Sequence, residues 1–149
     1  MAENDNKDAD ETPVRVDVEL FIVHPTMSPE EITAALHPQP HIVHPYGARR
    51  MAPNGTVLKG TYPDTRWRHS IRYELNGQWF VSKITELVDS LAPHKMFLHR
   101  VRDTGGTAKV IVQFLGDGYL GDNVPLDTLA KMTELRLDFG IECFVVPQS

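Results

Sequence analysis

Alternating hydrophobic and polar residues mark several strands along this chain. From Val14 to Val23 the even-numbered positions are apolar, while Arg15, Asp17 and Glu19 lie between them, which predicts a half-buried strand. Similar alternation, or a short apolar run bounded by turn residues, predicts the remaining strands. These cover residues 67–75, 96–102, 108–115 and 137–145, with a short edge strand at 41–46 limited by Pro45.

Capping residues define a helix directly after the first strand. Ser28 is a suitable N-cap, and Pro29 fits the first helical position, where its missing N–H is not needed. Glu31 completes a capping box. The helix is expected to run to Leu36, because Pro38 cannot continue it. Apolar residues at helical spacing predict two further helices, one over residues 80–91 that Pro93 ends and one near residues 126–135.

The order of these elements, β-α-(β)-β-α-β-β-α-β, predicts an α+β fold. We expect a largely antiparallel or mixed sheet with two to three helices packed on one face, and a ferredoxin-like core is compatible with this order. Residues 47–65 hold prolines, glycines and the Asn54-Gly55 turn signal, which predicts a long loop or a loose hairpin. A single globular domain is expected over residues 14–147, after a disordered acidic tail at 1–13.

The net charge of −5 comes mainly from that tail. Residues 1–12 hold five acidic residues and one lysine, which leaves the rest of the chain, with 15 acidic and 14 basic residues, close to neutral. This balance argues against nucleic acid or an anionic membrane as a general partner. The single cysteine, Cys143, suits a reducing cytoplasm. Without a signal-peptide pattern or an apolar run of about 20 residues, we expect a cytoplasmic location.

A local excess of basic residues between positions 47 and 73 is the strongest candidate for a binding surface. Asp64 is the one acidic residue there, against six bases that lie near tyrosine and tryptophan. Such a surface could meet phosphate, RNA or an acidic protein, and the alternative is a solvated strand face with a buried tryptophan behind it. The candidate ligand-binding residues are Arg49, Arg50, Arg66, Arg68, Arg72 and Trp67.

Histidines near the first helix are the second candidate. Neutral imidazoles bind zinc or copper well, yet no nearby cysteine and no H-E-x-x-H motif accompanies them. We therefore expect ordinary hydrogen-bonded histidines, no metal, no cofactor and no catalytic residue. Cys143 falls on the apolar side of the last strand, where a thiol is usually an inert core group. The alternative metal site would use His24, His37, His41 or His44 with Asp117 or Asp122.

The first helix and the segments after it resemble a known family. The strand, the Ser28-Pro29-Glu30-Glu31-Ile32-Thr33 helix start with Leu36, and the proline-rich stop resemble the opening of bacterial domain-of-unknown-function family 4279. The Lys59-Gly60-Thr61 segment before Trp67, the helix ending at Pro93 and the closing Leu135 to Val146 stretch also fit. The resemblance covers about residues 14–146 and implies a small bacterial domain, with no catalytic residues to transfer.

These observations favour a protein-binding module with an unknown protein partner. Small acidic α+β proteins of this type often act as antidotes, such as immunity proteins against toxins, which is an analogy at the level of fold. Two alternatives stay open: a nucleic-acid or phosphate-ligand binder that uses residues 47–73, and a small metal-dependent enzyme that uses the histidines. Exposed edge strands could also pair two copies into a homodimer.

Overall fold

The computed structural model describes residues 15–74, 80–116 and 121–144. The predicted acidic tail, the end of the predicted strand at residue 75 and Asp117 lie outside these residues. The strands are β1 (Arg15–His24), β2 (Ile42–His44), β3 (Arg49–Met51), β4 (Val57–Thr61), β5 (Thr65–Glu74), β6 (Thr107–Leu115) and β7 (Asp138–Phe144). The helices are α1 (Pro29–Leu36), α2 (Val81–Leu91), α3 (Lys95–Asp103) and α4 (Leu126–Glu134), with a 3-10 turn (Ala92–His94) between α2 and α3.

The main sheet has five strands in the order β2-β5-β1-β6-β7. Its pairings are antiparallel except for the parallel pair of β6 and β7. Strands β1 and β2 therefore run parallel with β5 between them, and β5 and β6 run parallel with β1 between them. These two split β-α-β units form a ferredoxin-like core, to which α4 and β7 are added. The predicted α+β fold with a mixed sheet is confirmed.

The helices cover one face of this sheet. The even-numbered residues of β1, from Val16 to Ile22, are fully buried and belong to one apolar cluster with residues from all four helices. Trp67 of β5 lies opposite Ile22 in this layer and is 0 % exposed. Its indole N–H donates to the hydroxyl of Thr33 in α1 at 3.0 Å, which satisfies the one polar atom that the ring brings into the core.

The opposite face of the sheet carries charged side chains in place of helices. Asp17, Glu19 and Phe21 alternate with the core residues of β1, and all three are nevertheless buried. Long side chains of β5 lie over them: Arg72 Nε is 3.2 Å from Asp17 Oδ1, and the Arg68 guanidinium is 4.1 Å from the centre of the Phe21 ring. We call this side of the sheet the open face.

Helix α1 follows its sequence signals closely. The Ser28 hydroxyl accepts a hydrogen bond from the N–H of Glu31 at 3.2 Å, and Pro29 occupies the first turn. The helix ends at Leu36, and His37 closes it with a φ of 73°. The predicted helix from Pro29 to Leu36 is therefore confirmed, because every signal lies within a few residues of the element it determines.

The prediction of a strand at 96–102 is wrong, because this segment is helix α3. Its buried residues are Leu98 and Val101, three positions apart on one helical face, while Met96 is 88 % exposed. The predicted end of the preceding helix is confirmed, because α2 ends at Leu91, two residues before Pro93. Pro93 lies in the first positions of the 3-10 turn, where its missing backbone N–H does not remove a hydrogen bond. The chain continues from this turn into α3.

The prediction that Cys143 lies in the core is also wrong. Strand β7 is an edge strand, and Cys143 is exposed. Ile141, which precedes it on the same side of the strand, is 62 % exposed. The apolar alternation of β7 therefore continues past the area that the helices cover. Among the described residues, no helix is long and apolar enough to cross a membrane.

Candidate functional site

Strands β3 and β4 form a hairpin that pairs with itself and not with the main sheet. Its tip is closed by hydrogen bonds from Gly55 N to Ala52 O at 2.9 Å and from Ala52 N to Thr56 O at 2.8 Å. The Asn54 side chain accepts from Thr56 N, and Gly55 has a φ of 86°, which favours glycine. The predicted loose hairpin is thus confirmed, with its turn at Asn54-Gly55.

Tyr62 fixes the base of the hairpin. Its backbone exchanges hydrogen bonds with Gly47 and Ala48, at 3.0 and 2.9 Å. Its hydroxyl accepts from the N–H of Met51 at 3.1 Å, which ties the tyrosine to the first strand of the hairpin. Its ring stacks on that of His44, with centroids 4.4 Å apart and planes 4° from parallel. The hairpin therefore projects from the body in a defined direction, although its strands pair only with each other.

Large apolar side chains are exposed along this projection and the adjacent sheet edge. Six of the twelve such residues in the described part of the chain fall between residues 42 and 58, each 40 to 53 % exposed. Residues 42–62 also carry Arg49, Arg50 and Lys59 without any acidic residue. This combination of apolar and basic groups, which we call the hairpin surface, comprises Ile42, Val43, Tyr46, Met51, Val57 and Leu58 with those three bases.

A cleft of about 510 Å³ lies where the hairpin joins the body. We call it the hairpin cleft. The Nε of Arg66 lies 3.1 Å from Asp64 Oδ1, whereas the side chain of Arg50 makes no hydrogen bond or ion pair with any described residue. The walls are formed by His44 of β2, Arg50 of β3, Thr61 of β4, the segment Tyr62, Pro63 and Asp64, and Arg66 of β5.

The candidate residues named from the sequence divide into three groups. Arg50 and Arg66 come together in the hairpin cleft, and Arg49 is exposed beside it without lining it. Arg68 and Arg72 lie on the open face and are paired with Glu19 and Asp17. Trp67 must be removed from the set, because it is fully buried in the core and has no surface to offer a ligand.

Glu19 is a feature that sequence reasoning missed. It is 3 % exposed, and its Oε1 lies 3.3 Å from Arg68 Nε without accepting a hydrogen bond. Burial raises the pKa of its carboxyl group, Arg68 lowers it, and the nearby Glu142 and Asp17 raise it further. The alternating pattern placed Glu19 on the solvent side of the strand. Its burial depends on arginines of a strand about fifty positions away.

Both ring nitrogens of His24 make hydrogen bonds within the protein. Its Nδ1 accepts hydrogen bonds from the N–H groups of Thr26 and Met27, at 3.1 and 2.8 Å. This places the ring proton on Nε2, which donates to the Thr104 hydroxyl at 2.7 Å. Burial lowers the pKa of His24, against a raising effect of Glu31 and with a smaller lowering effect of Arg100.

The other proposed metal ligands are dispersed. His37 packs against His94, His41 against His69, and His44 against Tyr62. Asp122 accepts hydrogen bonds from the N–H groups of Val81 and Asn123. Within residues 15–74, 80–116 and 121–144, no three His, Cys, Asp or Glu side chains form a group that could hold a metal ion.

The fold and its hairpin define a ferredoxin-like α+β domain with an inserted, surface-exposed arm. The chain belongs to the family described as "Domain of unknown function (DUF4279)", whose match spans residues 12–145. Neither a curated protein nor a solved structure matches the chain.

Proposed function

We propose that this protein is a protein-binding module of a bacterial cytoplasm that contacts its partner through the hairpin surface. The observation that carries the proposal is the concentration of exposed apolar side chains on one projecting hairpin and the neighbouring sheet edge. Exposed apolar groups close together are typical of interaction sites, because water is released when a partner covers them. A protein that binds and blocks another protein, as an immunity protein does, fits this description by analogy of fold.

The charges around these apolar residues indicate the chemistry of the partner. Arg49, Arg50 and Lys59 surround Met51 and Val57, which are cross-strand neighbours in the hairpin. Like charges on one surface attract a surface of opposite sign and repel surfaces of the same sign. The partner is therefore proposed to be a protein with an acidic rim around an apolar patch.

The two buried groups with perturbed pKa values, Glu19 and His24, support binding over catalysis. Glu19 is covered by Arg68, so a substrate could not reach its carboxyl group without displacing that side chain. His24 uses both ring nitrogens in hydrogen bonds to the protein. A general acid or base must be free to reach the proton that it transfers, and neither residue meets that requirement.

A pair of matched double variants tests the proposal. Met51→Asp with Val57→Asp places two charges in the proposed contact, and Ile141→Asp with Phe144→Asp makes the same change on exposed residues of β7 at the other sheet edge. Tagged proteins are incubated with extract of the native host, and the retained proteins are quantified by mass spectrometry. Each buried apolar side chain contributes about 1.5 kcal/mol or more, so the hairpin variant should retain at least about tenfold less partner.

The β7 variant should retain an acidic protein partner as well as the unmodified protein does. Equal retention by the hairpin variant would refute the assigned surface. A loss caused by the β7 variant alone would move the binding surface to the opposite edge of the sheet. Circular dichroism of both variants checks that the fold is intact.

A further inference from the structure

We propose that the hairpin cleft binds the phosphate group of a small phosphorylated molecule of about nucleotide size. This site goes beyond the proposed contact with a protein, because it uses the concave base of the hairpin and not its exposed apolar side chains. The cleft volume of about 510 Å³ lies within the range of about 300 to 1,000 Å³ that is usual for small-molecule sites.

Two arginines supply the groups that recognise phosphate. The side chain of Arg50 lines the cleft without a hydrogen bond or ion pair to any described residue. The Arg66 side chain is held through its Nε by Asp64, which orients the guanidinium group while its terminal nitrogens remain for a ligand. A guanidinium group offers parallel N–H donors that match two phosphate oxygens. Asp64 is the one acidic residue among the described residues that line the cleft, against the two arginines.

The remaining wall suits the body of an organic ligand. The Tyr62 ring is fixed by its stacking on His44 and by the hydrogen bond of its hydroxyl to Met51. Pro63 adds apolar surface beside it. Because these groups are already held in place, a ligand that packs against them does not have to order them first. A phosphate joined to a compact organic group therefore fits better than inorganic phosphate alone.

The distribution of charge favours a small ligand over a polynucleotide. Beyond Arg66, the next cations on the same face of β5 are Arg68 and Arg72, and both are paired with carboxylates of β1. A nucleic acid presents phosphates at regular intervals and is bound by a continuous row of unpaired cations. All three arginines on this face of β5 are therefore paired with carboxylates, and the unpaired charge in the cleft comes from Arg50 of β3.

Isothermal titration calorimetry with adenosine 5′-monophosphate tests the proposal, with adenosine as the neutral probe. Arg50→Ala is compared with Arg49→Ala, which removes the same charge from the preceding residue of β3. Of these two arginines, only Arg50 lines the cleft. Arg50→Ala should weaken binding of the monophosphate about tenfold or more, because a charge-assisted contact is lost. Arg49→Ala should change it less than about twofold.

Binding of adenosine 5′-monophosphate at submillimolar concentration, without binding of adenosine, would support the phosphate site. Absence of binding at millimolar monophosphate would overturn the proposal, as would equal losses from Arg49→Ala and Arg50→Ala. A single-stranded oligonucleotide that binds more tightly than the monophosphate, and that depends on Arg49 as well, would replace the proposed ligand with nucleic acid. Arg66→Ala provides a second variant in the cleft, expected to weaken binding as Arg50→Ala does.

Discussion

Gly106 offers the sharpest test of the packing between β1 and α3. It lies in the turn between α3 and β6, and its N–H donates to Val101 O at 2.7 Å. A methyl group at this position would lie 2.7 Å from His24 Cδ2, 2.8 Å from Val23 O and 2.9 Å from Val101 Cγ1. All three distances are shorter than real carbon contacts allow, so Gly106→Ala forces neighbouring atoms to move.

The size of the effect follows from which atoms can move. Val23 O belongs to the backbone of a central strand and cannot rotate away. The His24 ring is held by three hydrogen bonds, so its displacement weakens at least one of them. Overpacking contributes about 3 kcal/mol and the weakened hydrogen bond about 1 kcal/mol. We therefore expect Gly106→Ala to lower the free energy of unfolding by about 4 kcal/mol.

Urea denaturation measures this loss, and the neighbouring glycine is the control. For a slope of about 2 kcal/mol per molar urea, 4 kcal/mol corresponds to a midpoint about 2 M lower. Gly105 has a φ of 96°, and a methyl group there would meet only Pro25 Cγ at 3.4 Å, so Gly105→Ala should lose only the conformational strain of about 1 to 2 kcal/mol. A smaller loss for Gly106→Ala than for Gly105→Ala would refute the steric reasoning.

Three further predictions concern the buried titratable groups and α3. Because burial lowers the pKa of His24, the unfolded chain takes up this proton first, so the stability that His24 contributes should fall as pH drops below about 6.5. Urea midpoints measured between pH 7.5 and 5.5 should fall with decreasing pH in the unmodified protein, and this fall should be smaller in His24→Gln. Burial raises the pKa of Glu19 in the folded protein, so the unfolded chain releases this proton first as pH rises above about 4.5. The stability that Glu19 contributes is therefore lost as pH rises from about 4.5 through the folded pKa. Glu19→Gln should therefore gain stability relative to the unmodified protein between pH 4 and 7, and a constant difference would contradict this. In α3, Leu98→Ala should lose about 2 to 5 kcal/mol, whereas Met96→Ala should change thermal stability by less than about 0.5 kcal/mol; similar effects would argue against the helical register.

Local signals in the sequence were sufficient for the elements that they directly determine. Ser28, Pro29 and Glu31 act within one helical turn, and the strand β1 carries its alternation in its own residues. Residues 96–102 were misassigned because a short apolar segment after a proline fits a strand as well as a helix. The segment is helical because Leu98 and Val101 both pack into the shared core. Such contacts with distant residues are not visible in a local sequence pattern.

The candidate site could be predicted only in part for the same reason. The excess of arginines between residues 47 and 73 was visible, but their separation into paired and unpaired groups depends on strand register. Asp17 lies opposite Arg72, 55 positions away in the sequence. The exposure of Arg50 in a cleft depends on how Tyr62 fixes the hairpin. The sequence pattern correctly places Trp67 on the face of β5 opposite the arginines, and the error was to include this buried residue among the ligand-binding candidates.

The position of the hairpin within the topology has a consequence for how the domain can diversify. Strands β2 and β5 are antiparallel neighbours, so a short turn would be enough to join them. The residues between Pro45 and Pro63 are thus an insertion at a point where the core needs only a reversal of the chain. A different hairpin could be grafted there, longer, shorter or of opposite charge, while β1 and the helices keep their packing. With the hairpin as the proposed binding surface, recognition and folding would be encoded in separate parts of the chain, and one could change without the other.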